Sequence, residues 1–257
     1  MNFNFTLIRH STAIIEIEGK KIVMDPLFSD IEKLPPVPLT KNKLRNPRTG
    51  LSFSIDDIIK DIDYLLLTHL HFDHFDKDAI ARIPKSTKVL SASFDSNRIK
   101  KLGYTNIYSI ENDFEIDRFK IRRYPAKHGK GLLNVMMGKG SSYQIDYDGF
   151  KIFITGDCIL THSLKQYVTE TNPDIIIANG GATSFRFGKP ITMSIKDILE
   201  ISKILKDTKI ILIHLDALNH CTESRDFCKE QVKDCPNIVI PDDGETIKIN
   251  TTHAVTT

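Results

Sequence analysis

The stretch Thr68-His69-Leu70-His71-Phe72-Asp73-His74 carries three histidines and one carboxylate within six residues. It follows the apolar run Ile62-Asp63-Tyr64-Leu65-Leu66-Leu67, which has the length of a β-strand, and it precedes Asp76, which can cap the N-terminus of a helix. The whole chain has nine histidines in 257 residues, so three in six positions are hard to explain as a loop that is histidine-rich by chance. The pattern indicates a metal site on a turn between a strand and a helix.

The four polar side chains of this turn are imidazole and carboxylate ligands, which suit Zn²⁺, Fe or Mn²⁺. His69 and His71, two positions apart, can converge on one metal ion, whereas Asp73 and His74 face a second ion nearby. A site with two metal ions needs more than four ligands. One ligand must also bridge the ions, and the two oxygens of a carboxylate suit that task.

Three further residues at strand ends can complete such a site. Asp157 follows Gly156 at the end of an apolar strand, where its side chain can project into a cleft. His128 lies in the Gly-rich loop Pro125-Ala126-Lys127-His128-Gly129, and His214 ends the apolar strand Ile210-Ile211-Leu212-Ile213. Strand ends are where the sites of α/β proteins gather, so we predict that these residues join the 68–74 turn.

The composition fits a globular protein and excludes several classes. The chain is 40% hydrophobic and 26% charged with a net charge of +2, so it can bury a core, and nothing global demands nucleic acid or membrane as a partner. Its start lacks the basic and apolar regions of a signal peptide, and no apolar run approaches the ~20 residues of a transmembrane segment. The four cysteines form no close Cys-x-x-Cys pair, which favours reduced thiols and a cytoplasmic protein.

The order of predicted elements favours a single α/β domain over residues 1–257. A strand at Phe3–Arg9 and a hairpin closed by Asp25-Pro26 open the chain. Strand-rich meanders interleaved with helices then occur twice, which implies two sheets covered by helices. Residues 33–50 contain four prolines and five basic residues but no acid. This segment is either a lid over the site or a flexible surface excursion.

At this point the chain resembles the metallo-β-lactamase superfamily. His69-x-His71-x-Asp73-His74 matches its signature motif, and His128, Asp157 and His214 follow in the order of its later motifs. The resemblance covers nearly the whole chain. The opening His10-Ser11-Thr12 and the segment Met24-Asp25-Pro26 are similar to the branch of L-ascorbate-6-phosphate lactonases and N-acylphosphatidylethanolamine phospholipase D.

The resemblance implies a four-layer αββα sandwich, the metallo-β-lactamase fold, with a dinuclear metal site at the sheet edges. By that analogy His69, His71 and His128 bind one metal ion and Asp73, His74 and His214 bind the other. Asp157 bridges the two ions together with a hydroxide. Zinc is the first choice of metal, and manganese or iron stays open.

Two residues depart from the pattern or compete with it. Cys158 follows Asp157 near the point where true β-lactamases use a cysteine ligand. Asp157 fits the hydrolase pattern better than Cys158 does. We therefore interpret Cys158 as a structural residue and do not expect a β-lactam substrate. His220 lies close to His214 and competes for the role of last ligand. We favour His214 because it ends the strand, which leaves His220 to support the site or to bind substrate.

Two divalent ions would lower the pKa of a bridging water toward ~7, and the resulting hydroxide can attack a carbonyl or a phosphorus. In this hypothesis Asp73 orients the nucleophile or carries its proton, and Asp157 is the second catalytic carboxylate. His10 and Asp25 are candidates for the cleft, with an ordinary structural hydrogen bond as the alternative for each.

Charge suggests the substrate class. Residues 118–140 contain seven basic residues and no acid, and with the 33–50 segment they would favour a small anionic substrate. Lys127 and Lys130, beside His128, are the candidate contacts. The alternative is an ordinary solvated strand face. Duplex nucleic acid is disfavoured, because no binding motif or interleaved aromatics accompany the charges.

The leading hypothesis is a metal-dependent hydrolase of a small anionic ester, a phosphodiester or a lactone. One alternative is an iron-dependent redox enzyme of the same fold, similar to a sulfur dioxygenase. Another is a non-catalytic binding protein that keeps the fold. The identity of the substrate and the existence of a homo-oligomer stay open.

Overall fold

The structure is a computed structural model that describes residues 1–250. Residues 251–257 of the predicted domain lie outside the described range, and the domain boundaries stay a prediction. Two seven-stranded mixed sheets form the centre of the molecule.

The first sheet takes its strands from the N-terminal half of the chain and one strand from the C-terminus. Its order is β14-β1-β2-β3-β4-β5-β6. In chain order the strands are β1 (Asn2–Arg9), β2 (Thr12–Ile17), β3 (Lys20–Met24), β4 (Tyr64–Leu67), β5 (Lys88–Ala92), β6 (Ile107–Ile110) and β14 (Thr246–Asn250). Strands β3 to β6 run parallel to one another, and the other neighbours are antiparallel.

The second sheet takes the remaining strands, in the order β13-β12-β11-β10-β9-β8-β7. These are β7 (Asp113–Ile116), β8 (Phe119–Ala126), β9 (Gly140–Tyr147), β10 (Phe150–Ile154), β11 (Ile175–Asn179), β12 (Lys209–Ile213) and β13 (Ile238–Val239). Here β10 to β13 are parallel and β7 to β10 are antiparallel. Each sheet is therefore half parallel and half antiparallel.

Helices cover the outer face of each sheet. Buried residues of α1 (Ile55–Ile59), α2 (Lys77–Arg82) and α3 (Ser96–Lys101) pack on outward side chains of the first sheet such as Leu65 and Val89. Buried residues of α5 (His162–Thr171), α6 (Ile195–Ile204) and α7 (Arg225–Gln231) pack likewise on Phe153 and Ile176 of the second sheet. The result is the predicted four-layer αββα sandwich, which is confirmed.

The alternation of side chains along the strands explains the layers. In β10, Ile152 and Ile154 point into the core between the sheets, whereas Phe153 points to the helices. In β4, Leu66 faces the core between the sheets, whereas Leu65 and Leu67 face outward. Strands buried on both faces read as continuous apolar runs.

Sequence patterns located most elements correctly and missed three, one of which is the 3-10 turn Ser93–Asp95. Ser54, Asp76 and Ser194 cap α1, α2 and α6 as their positions predict, each accepting a hydrogen bond from the third residue beyond. The edge strand β7 was not predicted, and neither was the short helix α4 (Leu132–Met137) inside the loop after His128. In residues 1–250 no helix is long and apolar enough to cross a bilayer.

Gly156 lets the two sheets approach each other just before Asp157. Its φ is +56°, and a Cβ there would lie 2.6 Å from the Ser141 carbonyl oxygen and 3.2 Å from Thr68 Cβ. Across the same gap the Ser141 amide donates to the Thr68 carbonyl at 3.2 Å. Only glycine has both the conformation and the space that this contact requires.

We expect Gly156→Ala to lower the free energy of unfolding by about 2–4 kcal/mol, because it combines backbone strain with overpacking. Urea denaturation followed by circular dichroism measures the change. Gly149→Ala is the matched control: its φ is +88°, but a Cβ there would meet nothing within 4 Å. The control should cost only about 1–2 kcal/mol, and equal losses for the two variants would contradict the close-approach explanation.

Candidate metal centre

Most candidate ligands come from the carboxyl ends of parallel strands, and His128 follows the antiparallel strand β8. The 68–74 turn leaves β4, Asp157 comes shortly after β10, and His214 follows β12 directly. Since the carboxyl ends of parallel strands lie at one edge of a sheet, the two sheets bring these side chains together between them. The turn is tight: the amides of His74 and Phe75 both donate to the His71 carbonyl, at 3.0 and 2.9 Å.

One group consists of His69, His71 and His128, whose ligand atoms lie within 4.8 Å of one another. The His71 Nε2–H donates to the Met137 carbonyl at 2.9 Å, and the His128 Nδ1–H donates to the Ile191 carbonyl at 3.0 Å. Because a carbonyl oxygen only accepts, these bonds leave the lone pairs on His71 Nδ1 and His128 Nε2.

The lone pair of His69 is directed in the same way. Thr68 Oγ1 donates to Asp25 Oδ2 at 2.5 Å and lies 3.1 Å from His69 Nδ1, so it can only accept from that nitrogen. His69 Nε2 then presents its lone pair 3.0 Å from His71 Nδ1. Two facing lone pairs at this distance repel each other unless a proton or a cation lies between them. This arrangement fits a metal ion.

A second group consists of His10, Asp73, His74 and His214, again with ligand atoms within 4.8 Å of one another. The His74 Nδ1–H donates to Asp25 Oδ2 at 2.8 Å, which leaves Nε2 directed into the site. His74 Nε2 and both ring nitrogens of His214 are buried without a hydrogen-bond partner in the described structure. Buried polar atoms are normally satisfied, so these orphan atoms also fit a cation.

Asp157 lies between the two groups. Its Oδ2 is 3.3 Å from His74 Nε2, 3.4 Å from His128 Nε2 and 3.3 Å from His214 Nε2. Its Oδ1 accepts a hydrogen bond from the side-chain Nδ2 of Asn179 at 2.7 Å, which fixes the plane of the carboxylate. The geometry therefore suits the bridging position predicted for Asp157. The assignment of ligands stays a prediction.

The electrostatics of the site follow from burial and close charges. Burial lowers the pKa of His69 well below its usual value and lowers that of His128, so both imidazoles are neutral, as ligands must be. Burial acts to raise the pKa of Asp157, but the imidazoles of His214 and His74 outweigh it and hold that pKa well below the usual range. Burial acts to lower the pKa of His214, but Asp157 raises it to about 10. A cation that binds here therefore displaces protons.

The other residues that the sequence suggested for the site differ in how close they lie to the predicted metal ligands. His10 is fully buried, its Nε2 lies 3.6 Å from Asp73 Oδ2, and its ring centroid lies 3.8 Å from that of His214. His220 Nε2 lies 3.7 Å from the same Asp73 oxygen. Cys158 is buried among apolar side chains and burial raises its pKa, which agrees with a structural role. Lys127 and Lys130 are exposed, and neither lines the cavities described next.

Two adjoining cavities lead from the site to the surface. The inner one has a volume of about 130 Å³ and is lined by Val37, His71, Phe72, Asp73, His128, Met137, Phe185, Ile191 and His220. The outer one has a volume of about 690 Å³ and shares Val37, Met137 and Phe185 with it. Apart from Lys43 and Arg186, its lining is apolar or uncharged: Pro36, Val37, Pro38, Leu39, Thr40, Asn42, Leu133, Met136, Met137, Phe185 and Phe187. Together they form a mainly apolar cleft, and the 33–50 segment is one of its walls.

Two arginines of the basic stretch that suggested an anionic substrate are paired with acidic side chains. Arg118 pairs with Asp148, and Arg122 pairs with Asp113 of the neighbouring strand. Arg118 precedes β8 and Arg122 is its fourth residue, which places them roughly 25 Å and 13 Å from the end that leads to His128 at about 3.3 Å per residue. These arginines are neutralised locally and do not face the site.

Sequence reasoning missed groups that orient the candidate ligands. Asn179 ends the apolar strand β11 just before Gly180-Gly181, so the strand-end rule that selected Asp157 and His214 could have found it. The carbonyls of Met137 and Ile191 are backbone groups with no residue signature. Asp25, a cleft candidate, is a partner of both His74 and Thr68.

The chain matches the family model of the beta-lactamase superfamily domain over residues 4–214. It therefore belongs to the beta-lactamase superfamily, and the resemblance drawn from its motifs is confirmed. Its similarity to the branch of L-ascorbate-6-phosphate lactonases and N-acylphosphatidylethanolamine phospholipase D stays a prediction. A relative is the UPF0173 protein YddR of Bacillus subtilis (strain 168), which is 31% identical over 251 residues, covering 95% of this chain and 98% of that protein.

Two solved structures are similar over nearly their whole length. A possible metal-dependent hydrolase from Veillonella parvula DSM 2008 is 26% identical with a TM-score of 0.93, covering 97% of this chain and 100% of that one. The isothiocyanate hydrolase from Delia radicum gut bacteria is 26% identical with a TM-score of 0.89, covering 95% and 98%.

Asp25 offers a test of the ligand arrangement from outside the predicted ligand set. Asp25→Asn keeps the shape of the side chain but removes its negative charge. That charge orients His74 directly and His69 through Thr68. We expect metal affinity to fall about 10–100-fold, as is typical when such a partner is lost, while the protein stays folded. Competition with a chromophoric chelator measures the affinity. Asp63→Asn, at the opposite end of β4, is the control, and unchanged affinity in Asp25→Asn would refute the arrangement.

Proposed function

We propose that this protein is a hydrolase that activates water with divalent metal ions. The observation that carries the proposal is the convergence of two groups of buried ligand atoms on the Asp157 carboxylate. His69, His71 and His128 would hold one ion, Asp73, His74 and His214 the other, and Asp157 would bridge them. The seven side chains supply nitrogen and oxygen donors, which suit zinc best and also suit manganese or iron.

Bound there, divalent ions would lower the pKa of a water molecule toward about 7 and polarise the bond to be cleaved. The protein's own residues support this chemistry in distinct ways. Asn179 holds Asp157 in one orientation, and Asp25 holds the rings of His74 and His69. Asp73 borders the inner cavity, where its carboxylate can accept a proton from water and pass it to the leaving group.

The relatives support hydrolysis as the reaction class. The Veillonella parvula protein is named as a possible metal-dependent hydrolase, and the protein from Delia radicum gut bacteria is named as an isothiocyanate hydrolase. Both cover this chain almost completely. Hydrolysis of an ester, a lactone or an isothiocyanate requires attack of water on an electrophilic carbon, and a phosphodiester requires the same attack on phosphorus.

The cleft adds information on the substrate. Its apolar walls favour a substrate whose non-reacting part is an aliphatic or aromatic body, since burial of such a body is favourable by about 25 cal/mol per Å². This lining supports esters, lactones and isothiocyanates over sugar phosphates and small phosphodiesters. Among the residues that line the outer cavity, the positive charges that could bind an anionic group of the substrate are Lys43 and Arg186.

Metal analysis joined to an assay panel tests the proposal. Purified protein should carry up to two equivalents of divalent metal. After chelation and reloading with zinc, manganese or iron, it should hydrolyse at least one apolar ester, acyl-homoserine lactone or aryl-alkyl isothiocyanate. Asp157→Asn should lose metal and activity together.

The same experiment separates the alternatives. Turnover that requires O₂ and iron, followed with an oxygen electrode, would establish the redox enzyme instead. Unchanged metal content and function in Asp157→Asn would favour the non-catalytic binding protein. Preference for sugar-phosphate lactones or phosphodiesters would restore the small anionic substrate.

Phe185 borders both cavities, so it tests the substrate pose. We expect Phe185→Ala to raise KM for long-chain or aromatic substrates about 10-fold or more, the equivalent of losing ~1.5 kcal/mol of apolar burial, while short-chain substrates change little. Phe227→Ala on α7, an exposed phenylalanine outside the cleft lining, is the control. Equal effects on short and long substrates would argue against the cleft as the binding site.

A further inference from the structure

The inner cavity has four polar side chains in its lining, namely His71, Asp73, His128 and His220. Three of them belong to the predicted metal ligands. We propose that His220 is a further catalytic residue, which donates a hydrogen bond from its ring to the substrate atom that gains negative charge during hydrolysis. This inference rests on the proposed function and adds a residue and its task.

His220 is buried and has a ring nitrogen available for a hydrogen bond to the substrate. Its exposed fraction is 6%, and its Nδ1 is buried without a hydrogen-bond partner in residues 1–250. Its Nε2 is 3.7 Å from Asp73 Oδ2, beyond hydrogen-bond distance. Buried polar atoms are normally satisfied, so an unpartnered nitrogen on a side chain that lines the cavity indicates a missing hydrogen-bond partner.

His220 is near the predicted metal ligands but outside the groups of ligand atoms. Among the described residues, three groups of histidine and aspartate atoms lie within 4.8 Å of one another, and His220 belongs to none of them. Its ring is 6.1 Å from that of His214 and nearly perpendicular to it. His220 is thus close enough to contact a molecule held at the metal centre without joining the centre itself.

The position of His220 is fixed by its neighbour Asn219. The backbone N–H of Asn219 donates to Asn46 Oδ1 at 2.8 Å. In return, Asn46 Nδ2 donates to the side-chain Oδ1 of Asn219 at 3.0 Å. Asn219 Oδ1 also accepts from the Val37 amide at 2.9 Å, and Asn219 Nδ2 donates to Thr40 Oγ1 at 2.7 Å. The His220 carbonyl accepts from the Ser184 amide at 3.0 Å.

These hydrogen bonds indicate that the 33–50 segment helps to position His220. Asn46 is fully buried, and it ties the segment to the loop that carries His220. The segment is therefore a brace for His220 as well as a wall of the cleft. Asn46 and Asn219 are positioning residues in this proposal.

The chemical step needs no co-reactant. The water oxygen forms a bond to the electrophilic carbon, and the carbonyl oxygen, or its sulfur or nitrogen counterpart, takes up the electron pair. His220 donates a hydrogen bond to that atom and keeps its proton. When the bond to the leaving group breaks in an ester or lactone, the proton from water goes to the leaving oxygen. In an isothiocyanate the addition places the proton on nitrogen and gives a thiocarbamate, whose C–N bond then breaks to release the amine and carbonyl sulfide.

His220→Gln and His220→Ala test the proposal on the zinc-loaded protein. With a substrate identified in the panel, we expect kcat to fall about 10²–10³-fold, the loss typical of one such donor, with a smaller change in KM. Metal content, measured by plasma mass spectrometry, should stay at the wild-type value. His162→Gln, at an exposed histidine of α5, is the matched control.

A cobalt-loaded sample supplies a readout that does not depend on turnover. Acetate, whose oxygen imitates the charged product, should perturb the visible spectrum of the cobalt protein. Its apparent Kd should rise about 10–100-fold in His220→Ala, as expected for the loss of one hydrogen bond to a charged group. If no panel substrate is hydrolysed but this shift is found, the proposed function fails for those substrates while His220 keeps its place beside the centre.

Three results would overturn the proposal. Loss of metal in His220→Gln would make His220 a ligand. Unchanged kcat would remove it from the reaction, and unchanged acetate affinity would remove it from the site.

The brace is tested by a double-mutant cycle. Asn46→Ala should lower kcat in the wild-type background and have little further effect in the His220→Gln background. Additive losses in the two backgrounds would mean that Asn46 acts only on stability, and the positioning role would be wrong.

Discussion

The interaction on which the site depends is the contact of one buried carboxylate oxygen with three imidazoles. Asp157 Oδ2 has His74, His128 and His214 around it at 3.3–3.4 Å. An isolated buried carboxylate is costly, and the cost is met here by the hydrogen bond from the Asn179 side chain and by positive charge, either protons on the rings or metal ions. The close approach of the sheets at Gly156 and the second carboxylate at Asp25 both serve this arrangement. Asp25 compensates His74 from the opposite side, so that charges alternate from Asp25 through His74 to Asp157.

The sequence allowed the fold and the candidate ligands to be predicted because both depend on local patterns. Apolar strands that end in a histidine or an aspartate identify the carboxyl edge of a parallel sheet, and the 68–74 turn concentrates four such groups. The missed elements have weak local patterns. Strand β7 is an edge strand with only Phe114 and Ile116 as apolar residues, and α4 has no buried residue and no side-chain cap.

Charge was the least informative part of the sequence. A run of basic residues along β8 looked like a positive field around His128, but it could not reveal that β7 and the 147–149 turn supply Asp113 and Asp148 as partners. The sign of a potential at a site depends on which side chains meet in space. The same limit applies to the carbonyls of Met137 and Ile191, which select the ring nitrogens of His71 and His128 and have no residue identity at all.

The two parts of the site have different origins, and this has a consequence for specificity. The candidate ligands stand on strand ends and are locked by Asp25, Asn179 and backbone carbonyls, so they tolerate little variation in position. The cleft is built from the 33–50 segment, α4 and residues near 185–187, which lie outside the sheets. His71 connects the two parts, since the carbonyl that orients it belongs to Met137 at the end of α4. A change of α4 that alters the cleft therefore also acts on the metal centre, which restricts how far the substrate range can change without loss of the ligand geometry.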